Sequence, residues 1–394
     1  MAMAKLVGAS LCLFAVLTTQ HEAAAAASRS RSCHGGSRAT GMVEAVFVFG
    51  SSLVDNGNNN FLNGSGVRAN YLPYGVDFPL GSTGRFSNGR NTIDALGELL
   101  RLPAGGLIPT FADPATRGRA ALHGVNFASG GSGILDRTGK DTGEVLSLEQ
   151  QITNFEAVTL PDLWAQLQRA TRANNRGMKG QDFFERCYLP KSLFIIGTGG
   201  NDYLLNYFRP RKTGDTRPDL SDFTRSLVTK LSAHLHRLYA LGARKFVVFS
   251  IQPIGCTPVV RASLNVTGTT CVKPVNAAAL LFNSELRSLV DAARTRMPGA
   301  SFSMVDSYKI TMDVLDHPRK HGISETYKAC CSEMGPSGVL CRKGGPICRD
   351  RTKYVFFDGL HPTDVVNVRI ARKGYASGSP QEAYPINVKK LAML

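Results

Sequence analysis

Four short apolar runs constrain the fold of this chain most strongly. The first spans Val43 to Phe49 and is closed by Gly50. Continuous apolar runs of this length, bounded by glycine, proline or polar residues, are typical of strands that are buried on both faces of a parallel sheet. The sequence therefore predicts a parallel sheet in the core. The other three runs are Leu193 to Ile196, Phe246 to Phe249 and Phe302 to Val305.

Helical periodicity appears between these runs. Apolar residues recur every three or four positions from Leu220 to Leu241, and Gly242 ends the pattern, as expected for a helix with one buried face. A second helix is predicted from about Pro274 to Met297. Strands that alternate with helices indicate an α/β fold with three α/β/α layers and a mostly parallel central sheet. Ligands of such sheets bind beyond the carboxyl ends of the strands.

The N-terminal 42 residues differ from the rest of the chain. Leu6 to Leu17 is apolar, follows Lys5 and leads into Ala23 to Ala27, which is the pattern of a secretory signal peptide. The run is too short for a membrane-spanning helix, which needs about 20 residues. We therefore expect a signal peptide at 1–27 and a flexible basic tail at 28–42. A single domain is expected at 43–394, because no linker or internal repeat divides it.

Composition and charge narrow the classes of function. Hydrophobic residues make up 43% of the 394 residues and charged residues 19%, so the chain can bury a large core and is not predominantly disordered. The formal net charge is +16, but no homeodomain, zinc-finger or RNA-recognition motif accompanies the scattered basic residues. We expect no nucleic-acid partner, and only weak attraction to anionic surfaces such as acidic polysaccharide or lipid headgroups.

Cysteine usage fits an oxidising compartment. Cys12 lies in the predicted signal peptide, and the other eight of the nine cysteines lie beyond it, an even number that suits disulfides. Because no C-x-x-C pair occurs, disulfides are favoured over a zinc site, which stays as the alternative. Four of these cysteines crowd one segment: Cys330, Cys331, Cys341 and Cys348.

Two N-glycosylation sequons begin at Asn63 and Asn265, and export would make both available to the glycosylation machinery. The second sequon lies between Cys256 and Cys271. Because these two cysteines are close in sequence and flank a short loop, they are the favoured disulfide pair. The sequence leaves the other pairings open.

Two hydroxyl groups follow the first predicted strand directly, at Ser51 and Ser52. A turn from this strand into a helix would lift one of them above the sheet as a nucleophile. The N–H groups of the helix start would then favour the negative charge that develops on an attacked carbonyl oxygen. The alternative is that either serine only caps the helix.

A carboxylate and an imidazole lie three residues apart near the other end of the chain, at Asp358 and His361. On one helical turn these side chains would share a face. The carboxylate could then accept the Nδ1–H of the imidazole and leave Nε2 free as a base. The alternative is an isolated ion pair on the surface.

Two segments rich in glycine and asparagine, residues 124–133 and 197–203, are candidates for binding a developing negative charge. Glycine lets the main chain approach a ligand closely, and an asparagine amide can donate a hydrogen bond to an oxyanion. Neither segment has the Gly-Lys-Ser/Thr ending of a phosphate-binding loop or a full G-x-G-x-x-G. Each could equally be a glycine-rich turn.

These four segments, in this order, resemble the plant GDSL esterase/lipase family of the SGNH hydrolase group, and the resemblance extends from about Val43 to the C-terminus. The absence of a G-x-S-x-G motif distinguishes the chain from the usual α/β-hydrolases. Further family-like stretches are Thr83 to Arg90, Pro253 to Cys256, the Cys330–Cys331 pair and Ser377 to Pro380.

The resemblance implies a serine hydrolase that needs neither a metal nor an organic cofactor. Ser52 would be the nucleophile, His361 the general base and acid, and Asp358 the residue that orients the imidazole. The oxyanion would be bound by three donors. These are the backbone N–H groups of Ser52 and Gly130 and the side-chain amide of Asn201.

Two positions leave alternatives open. Gly131 follows Gly130 directly and could supply the same donor. The family usually has Gly-Asp-Ser-Leu, whereas this chain has Ser51 in place of the aspartate. The change removes a negative charge beside the nucleophile and offers a competing hydroxyl group, although we favour Ser52.

The resemblance implies a secreted esterase or lipase of the extracellular space or cell wall. It would hydrolyse a carboxylic ester through an acyl-enzyme intermediate. The family acts on acyl lipids, cutin- or wax-type esters and acetyl esters of wall polysaccharide, and the motifs do not choose among them. Because of Ser51, a catalytically silent binding protein of the cell wall or of a lipid surface remains the alternative function.

Overall fold

The computed structural model describes residues 42–173, 180–210 and 216–394, without the side chains of 170–173. The predicted signal peptide (1–27) and residues 28–41 of the predicted tail lie outside this part of the chain. Met42, the last residue that we assigned to the tail, donates its backbone N–H to the carbonyl oxygen of Leu100 at 3.1 Å. Met42 therefore belongs to the fold.

A six-stranded sheet lies at the centre of the molecule. The strands in the described residues are β1 Val46–Gly50, β2 Gly124–Asn126, β3 Leu193–Gly197, β4 Lys245–Phe249, β5 Ser301–Val305, β6 Glu325–Ala329, β7 Tyr354–Phe356 and β8 Ala383–Pro385. The order in the central sheet is β2-β1-β3-β4-β5-β8. Only the β5–β8 pair is antiparallel. Strands β6 and β7 form a separate parallel pair.

Helices connect the strands. The α-helices are α1 Thr92–Leu99, α2 Leu148–Asn154, α3 Leu160–Ala173, α4 Gly180–Phe183, α5 Leu189–Lys191, α6 Gly200–Asp202, α7 Leu220–Ala240, α8 Pro258–Ser263, α9 Lys273–Arg296, α10 Ser307–Asp316, α11 Asp364–Ala376 and α12 Val388–Met393. The π-helical turns Phe155–Thr159, Phe184–Tyr188 and Tyr203–Tyr207 extend α2, α4 and α6. The 3₁₀ helices are Asn58–Phe61, Ala104–Gly106, Gly118–Ala121, Lys140–Thr142, Ile254–Cys256, Pro318–His321 and Arg351–Lys353. Within the described ranges, no helix combines the length and the apolar character that crossing a bilayer requires.

The helices cover both faces of the sheet. In β1, Phe47 and Phe49 belong to the core on one face, and Val46 and Val48 belong to the core on the other, as the two-residue repeat of a strand requires. Helices α2, α3, α7 and α9 supply apolar residues to the first core. Helices α1, α10, α11 and α12 supply them to the second. The predicted α/β class with a mostly parallel central sheet is confirmed.

The elements found from the sequence are those with long apolar patterns. The four predicted strands correspond to β1, β3, β4 and β5, and the two predicted helices correspond to α7 and α9. Strands β2, β7 and β8 have three residues each, and β6 has the sequence ETYKA. These strands were not predicted because they are too short or too polar to give a continuous apolar run.

Disulfides stabilise the loops outside the sheet. The structure joins Cys256 to Cys271, the pair that the sequence favoured. In the cysteine-rich region, Cys330 is bonded to Cys348 and Cys331 to Cys341. We call residues 330–348 the cystine segment. Three of its cysteines share a small apolar cluster with buried aromatic residues from other loops: Tyr74, Phe86 and Phe357.

Candidate active site

A tight turn at the carboxyl end of β1 positions the two serines. Gly50 ends the strand with φ 145°, and a Cβ atom there would lie 2.2 Å from the carbonyl oxygen of Gly197, so the close approach of β1 to β3 requires glycine. Ser51 donates its N–H to the same carbonyl oxygen at 3.0 Å, and Val54 donates its N–H to the carbonyl oxygen of Ser51 at 3.0 Å. The turn is therefore held by main-chain hydrogen bonds.

The predicted helix after Ser52 is not present. Residues 51–54 form a turn, and the next helical residues are those of the 3₁₀ helix Asn58–Phe61. The prediction of a helix dipole beside Ser52 was therefore wrong. The polar sequence from Asp55 to Asn60 forms loop hydrogen bonds instead, since aspartate and asparagine side chains compete with helical pairing of the backbone.

Ser52 and His361 come together although 309 residues separate them. The Oγ atom of Ser52 lies 2.7 Å from Nε2 of His361, within hydrogen-bond distance. Both residues are buried, with 5% and 2% of their surfaces exposed. The structure thus pairs Ser52, and not its neighbour Ser51, with the imidazole.

Asp358 holds the other side of the imidazole. Its Oδ2 and Oδ1 atoms lie 2.8 Å and 3.0 Å from Nδ1 of His361. Oδ1 also accepts the backbone N–H groups of Leu360 and His361, at 2.8 Å and 2.7 Å. The two side chains therefore meet in a turn that the carboxylate itself closes, and not on the helical turn that we predicted.

Two aromatic residues complete the surroundings of this pair, and the sequence analysis did not assign either to the site. The Phe86 ring lies against the imidazole of His361 with a centroid distance of 4.9 Å. The hydroxyl group of Tyr74 donates a hydrogen bond to Oδ2 of Asp358 at 2.6 Å. Burial, together with the charge of Asp358, holds the pKa of Tyr74 well above its usual value. Phe86 lies in a family-like stretch, but no pattern in the sequence pointed to Tyr74.

Asn201 is positioned by the strand next to β1. It lies in α6, just beyond the carboxyl end of β3, and lines the same cleft as Ser52. One amide hydrogen is donated to the carbonyl oxygen of Ser132 at 2.9 Å. Because an amide carries two donor hydrogens, this bond fixes the side chain and leaves the second hydrogen for a ligand.

The backbone N–H of Gly130, which we predicted as an oxyanion donor, is already engaged. It donates to Oδ2 of Asp55 at 2.9 Å. The same carboxylate accepts the N–H groups of Gly57 and Asn58 through Oδ1, at 2.7 Å and 2.9 Å. Among the hydrogen bonds of the described residues, none uses the N–H of Gly131. Of the two glycines, Gly131 is therefore the one whose N–H can bind a ligand.

The cleft beside Ser52 is small. It is lined mainly by residues at and just beyond the carboxyl ends of β1, β3 and β4, together with Thr92, Ser307, Leu360 and Ile370, and its free volume is about 60 Å³. A cavity must offer at least about 10–15 Å³ to hold one water molecule, so the cleft accommodates only a few heavy atoms. The described surface has three larger grooves, and Ser52, Asp358 and His361 line none of them.

In the part of the chain that the structure describes, no group of three or more His, Cys, Asp or Glu side chains is arranged to hold a metal ion.

Known proteins resemble this chain over nearly its whole length. The model of the family GDSL-like Lipase/Acylhydrolase matches residues 46–373. GDSL esterase/lipase At1g29670 of Arabidopsis thaliana is 40% identical, over 91% of this chain and 93% of that protein. GDSL esterase/lipase At5g08460, from the same plant, is 40% identical over 91% and 90% of the two chains. GDSL esterase/lipase At1g29660 is 37% identical over 91% and 93%.

Asp55 should make the stability of the protein depend on pH. Burial raises the pKa of this carboxyl to about 6, above its ordinary 3.8, against the effect of its three N–H donors. The folded protein therefore binds the proton of Asp55 more tightly than the unfolded chain does. Protonated Asp55 adds its full contribution to the free energy of unfolding below about pH 4, and this contribution is lost as the pH rises through 6. The unfolding free energy of the wild type should therefore fall by about 3 kcal/mol relative to that of Asp55→Asn as the pH rises across this range.

Urea unfolding of both proteins between pH 4 and 7 measures this difference. Every other titrating group is common to the two proteins, so its contribution cancels in the comparison. A difference that stays constant with pH would show that Asp55 does not titrate in this range.

Proposed function

The chain belongs to the GDSL-like lipase/acylhydrolase family and is a carboxylic ester hydrolase, and we propose that it acts as a serine esterase through Ser52, His361 and Asp358. The observation that carries the proposal is the 2.7 Å contact between Ser52 Oγ and His361 Nε2. A nucleophile paired with a base that a third group orients is the arrangement used for acyl transfer.

The first half of the reaction forms an acyl-enzyme. His361 accepts the proton of Ser52 as Oγ attacks the carbonyl carbon of the ester. The negative charge passes to the carbonyl oxygen, and the tetrahedral intermediate collapses when His361 gives the proton to the departing alcohol. Water then attacks the acyl group with His361 again as the base, and the carboxylic acid leaves Ser52.

Three N–H donors are assigned to the oxyanion. Ser52 supplies its backbone N–H and Asn201 its free amide hydrogen. We assign the third donor to Gly131 in place of Gly130, because the Gly130 N–H is bound to Asp55. Donors that are fixed before the charge develops stabilise the transition state more than the ground state.

Serine at position 51 is compatible with turnover. The Ser51 backbone keeps the turn through its bond to Gly197, and the side chain adds no negative charge beside the developing oxyanion. The Ser52–His361 contact therefore supports an active enzyme over the catalytically silent binding protein that Ser51 raised as an alternative.

A short acyl group is the preferred substrate in this proposal. The free volume of about 60 Å³ beside Ser52 leaves room for a few heavy atoms. An acetyl group fits this space, whereas a long fatty acyl chain would have to leave the cleft. We therefore favour acetyl esters, such as those of wall polysaccharide, over acyl lipid and cutin- or wax-type esters.

Secretion to the extracellular space or cell wall is part of the proposal. It is supported by the predicted signal peptide at 1–27, by the disulfides and by the exposure of both sequon asparagines, Asn63 and Asn265. The net charge of +16 would favour peripheral contact with anionic wall polysaccharide or lipid.

Ser52→Ala should abolish covalent labelling by a fluorophosphonate probe, because the probe reacts with an activated serine hydroxyl. Ser51→Ala is the control variant, and it should keep the label because its hydroxyl does not contact His361. Labelling is read on a gel, and thermal melting checks that both variants fold. Label that persists in Ser52→Ala would assign the nucleophile to another residue, and an unlabelled wild type would favour the silent binding protein.

Asn201→Ala should lower kcat by about 100- to 1,000-fold, which is the usual effect of removing one oxyanion donor. KM should change little, since the donor acts mainly in the transition state. The control is Asn206→Ala, whose amide bonds to Thr138 and does not line the cleft. Equal activity of the two variants would remove Asn201 from the oxyanion site.

Activity on p-nitrophenyl esters should fall with acyl length. We expect kcat/KM to drop about 10-fold or more from acetate to laurate, because forcing extra methylenes into a filled site is unfavourable. Leu204→Ala enlarges the cleft and should raise kcat/KM for butyrate relative to acetate. Acetylated xylan tests a polymeric acetyl ester in the same series. Faster hydrolysis of laurate by the wild type would contradict the preference for short acyl groups.

A further inference from the structure

Tyr74 is a completely buried residue that the mechanism above does not use. Its hydroxyl group makes two hydrogen bonds. It donates to Oδ2 of Asp358 at 2.6 Å, and it accepts the backbone N–H of Cys341 at 3.1 Å. Because a backbone N–H can only donate, the phenolic hydrogen must be directed to the carboxylate. The orientation of this hydroxyl group is therefore fixed.

The cystine segment holds the other partner of Tyr74. Cys341 is tied to Cys331 by a disulfide. Its carbonyl oxygen also accepts a hydrogen bond from the hydroxyl group of Tyr71 at 3.0 Å. The position of the Cys341 N–H, and with it the position of the Tyr74 hydroxyl, depends on this cross-linked segment.

The same segment also braces the turn that carries Asp358 and His361. The backbone N–H of Cys331 donates to the carbonyl oxygen of Phe357 at 2.9 Å. Gly359 donates its N–H to the carbonyl oxygen of Val339 at 2.8 Å. Strand-like pairing on both sides of Asp358 therefore fixes the backbone, while Tyr74 fixes the carboxylate.

On this geometry, and resting on the proposed function, we propose that Tyr74 is a positioning residue of the triad: it holds Oδ2 of Asp358 against His361 and is itself held by the cystine segment. The hydrogen bond from Tyr74 also spreads the charge of the carboxylate onto a second donor. Without it, the carboxylate attracts a protonated His361 more strongly and its orientation is less restricted.

Tyr74→Phe tests this role, because it removes the hydroxyl group and keeps the ring that packs on Phe86 and Phe357. The acid limb of the pH profile of kcat/KM should move to higher pH by about one unit. At neutral pH, kcat/KM should fall about 10-fold, an amount typical of losing one hydrogen bond to a charged group.

Tyr71→Phe is the matched control. It loses a hydrogen bond to the same residue, Cys341, but it has no bond to Asp358 and keeps the Cys331–Cys341 disulfide, so its acid limb should move much less than that of Tyr74→Phe. A Tyr74→Phe protein with the wild-type profile would overturn the proposal. A lower rate with an unmoved acid limb would also overturn it, since that result indicates a merely structural role.

A second variant tests the part played by the cystine segment. Replacing Cys331 and Cys341 together by serine should move the acid limb in the same direction. Adding Tyr74→Phe in that background should move the acid limb no further than Tyr74→Phe does alone, because in this proposal the disulfide acts through the Tyr74 hydroxyl. Additive shifts, or no shift in the double serine variant, would contradict the assignment. This variant also serves if Tyr74→Phe does not fold.

An NMR titration of the His361 ring gives a readout without turnover. In a Ser52→Ala background, the titration midpoint of this ring should lie at higher pH in Tyr74→Phe than with tyrosine present, because the carboxylate then keeps more of its charge for the imidazole. If the enzyme shows no Ser52-dependent hydrolysis, the proposed function fails, while the midpoint still decides whether Tyr74 acts on the pair. An unchanged midpoint would overturn the inference alone.

Discussion

The carboxylate of Asp358 has no exposed surface, and the packing around the active site follows from the need to satisfy it. A buried carboxylate is costly unless hydrogen-bond donors replace water. Two backbone N–H groups, the imidazole of His361 and the hydroxyl of Tyr74 perform this function. Three of these donors come from the turn that carries Asp358 itself, and the hydroxyl of Tyr74 comes from a loop far away in sequence. Satisfying the carboxylate therefore closes its own turn, orients the imidazole toward Ser52 and ties this turn to the loop of Tyr74.

Two other buried aspartates organise the opposite side of the cleft. Asp55 accepts the N–H of Gly130, and Asp202 accepts the N–H groups of Ile134 and Leu135. Ser132 lies between Gly130 and Ile134 in the chain, and its carbonyl oxygen accepts a hydrogen bond from the side-chain amide of Asn201. The glycine-rich loop after β2 is therefore fixed by side chains from the loops that follow β1 and β3. Such pre-organisation is what an oxyanion site requires, because its donors must not move as the charge develops.

Sequence patterns predicted the elements whose signals are local. Continuous apolar runs predicted β1 and β3. The three-residue spacing of Asp358 and His361 predicted that their side chains contact each other. Tyr74 could not be found in this way, because its partner is 284 residues away and its own loop has no periodicity. The choice between Gly130 and Gly131 depends on which N–H a buried carboxylate accepts. A sequence motif does not distinguish two adjacent glycines. Which of their N–H groups is free to bind a ligand follows only from the folded arrangement of the loops.

The turn at Ser51 is built by the main chain. The N–H and carbonyl groups of Ser51 bind Gly197 and Val54, and no hydrogen bond from its side chain contributes to the described turn. Gly50 meets the steric requirement where β1 approaches β3. Main-chain hydrogen bonds and the close approach at Gly50 thus position Ser52. Neither involves the side chain of residue 51. The side chain at position 51 therefore sets the local charge without taking part in the hydrogen bonds that hold the turn.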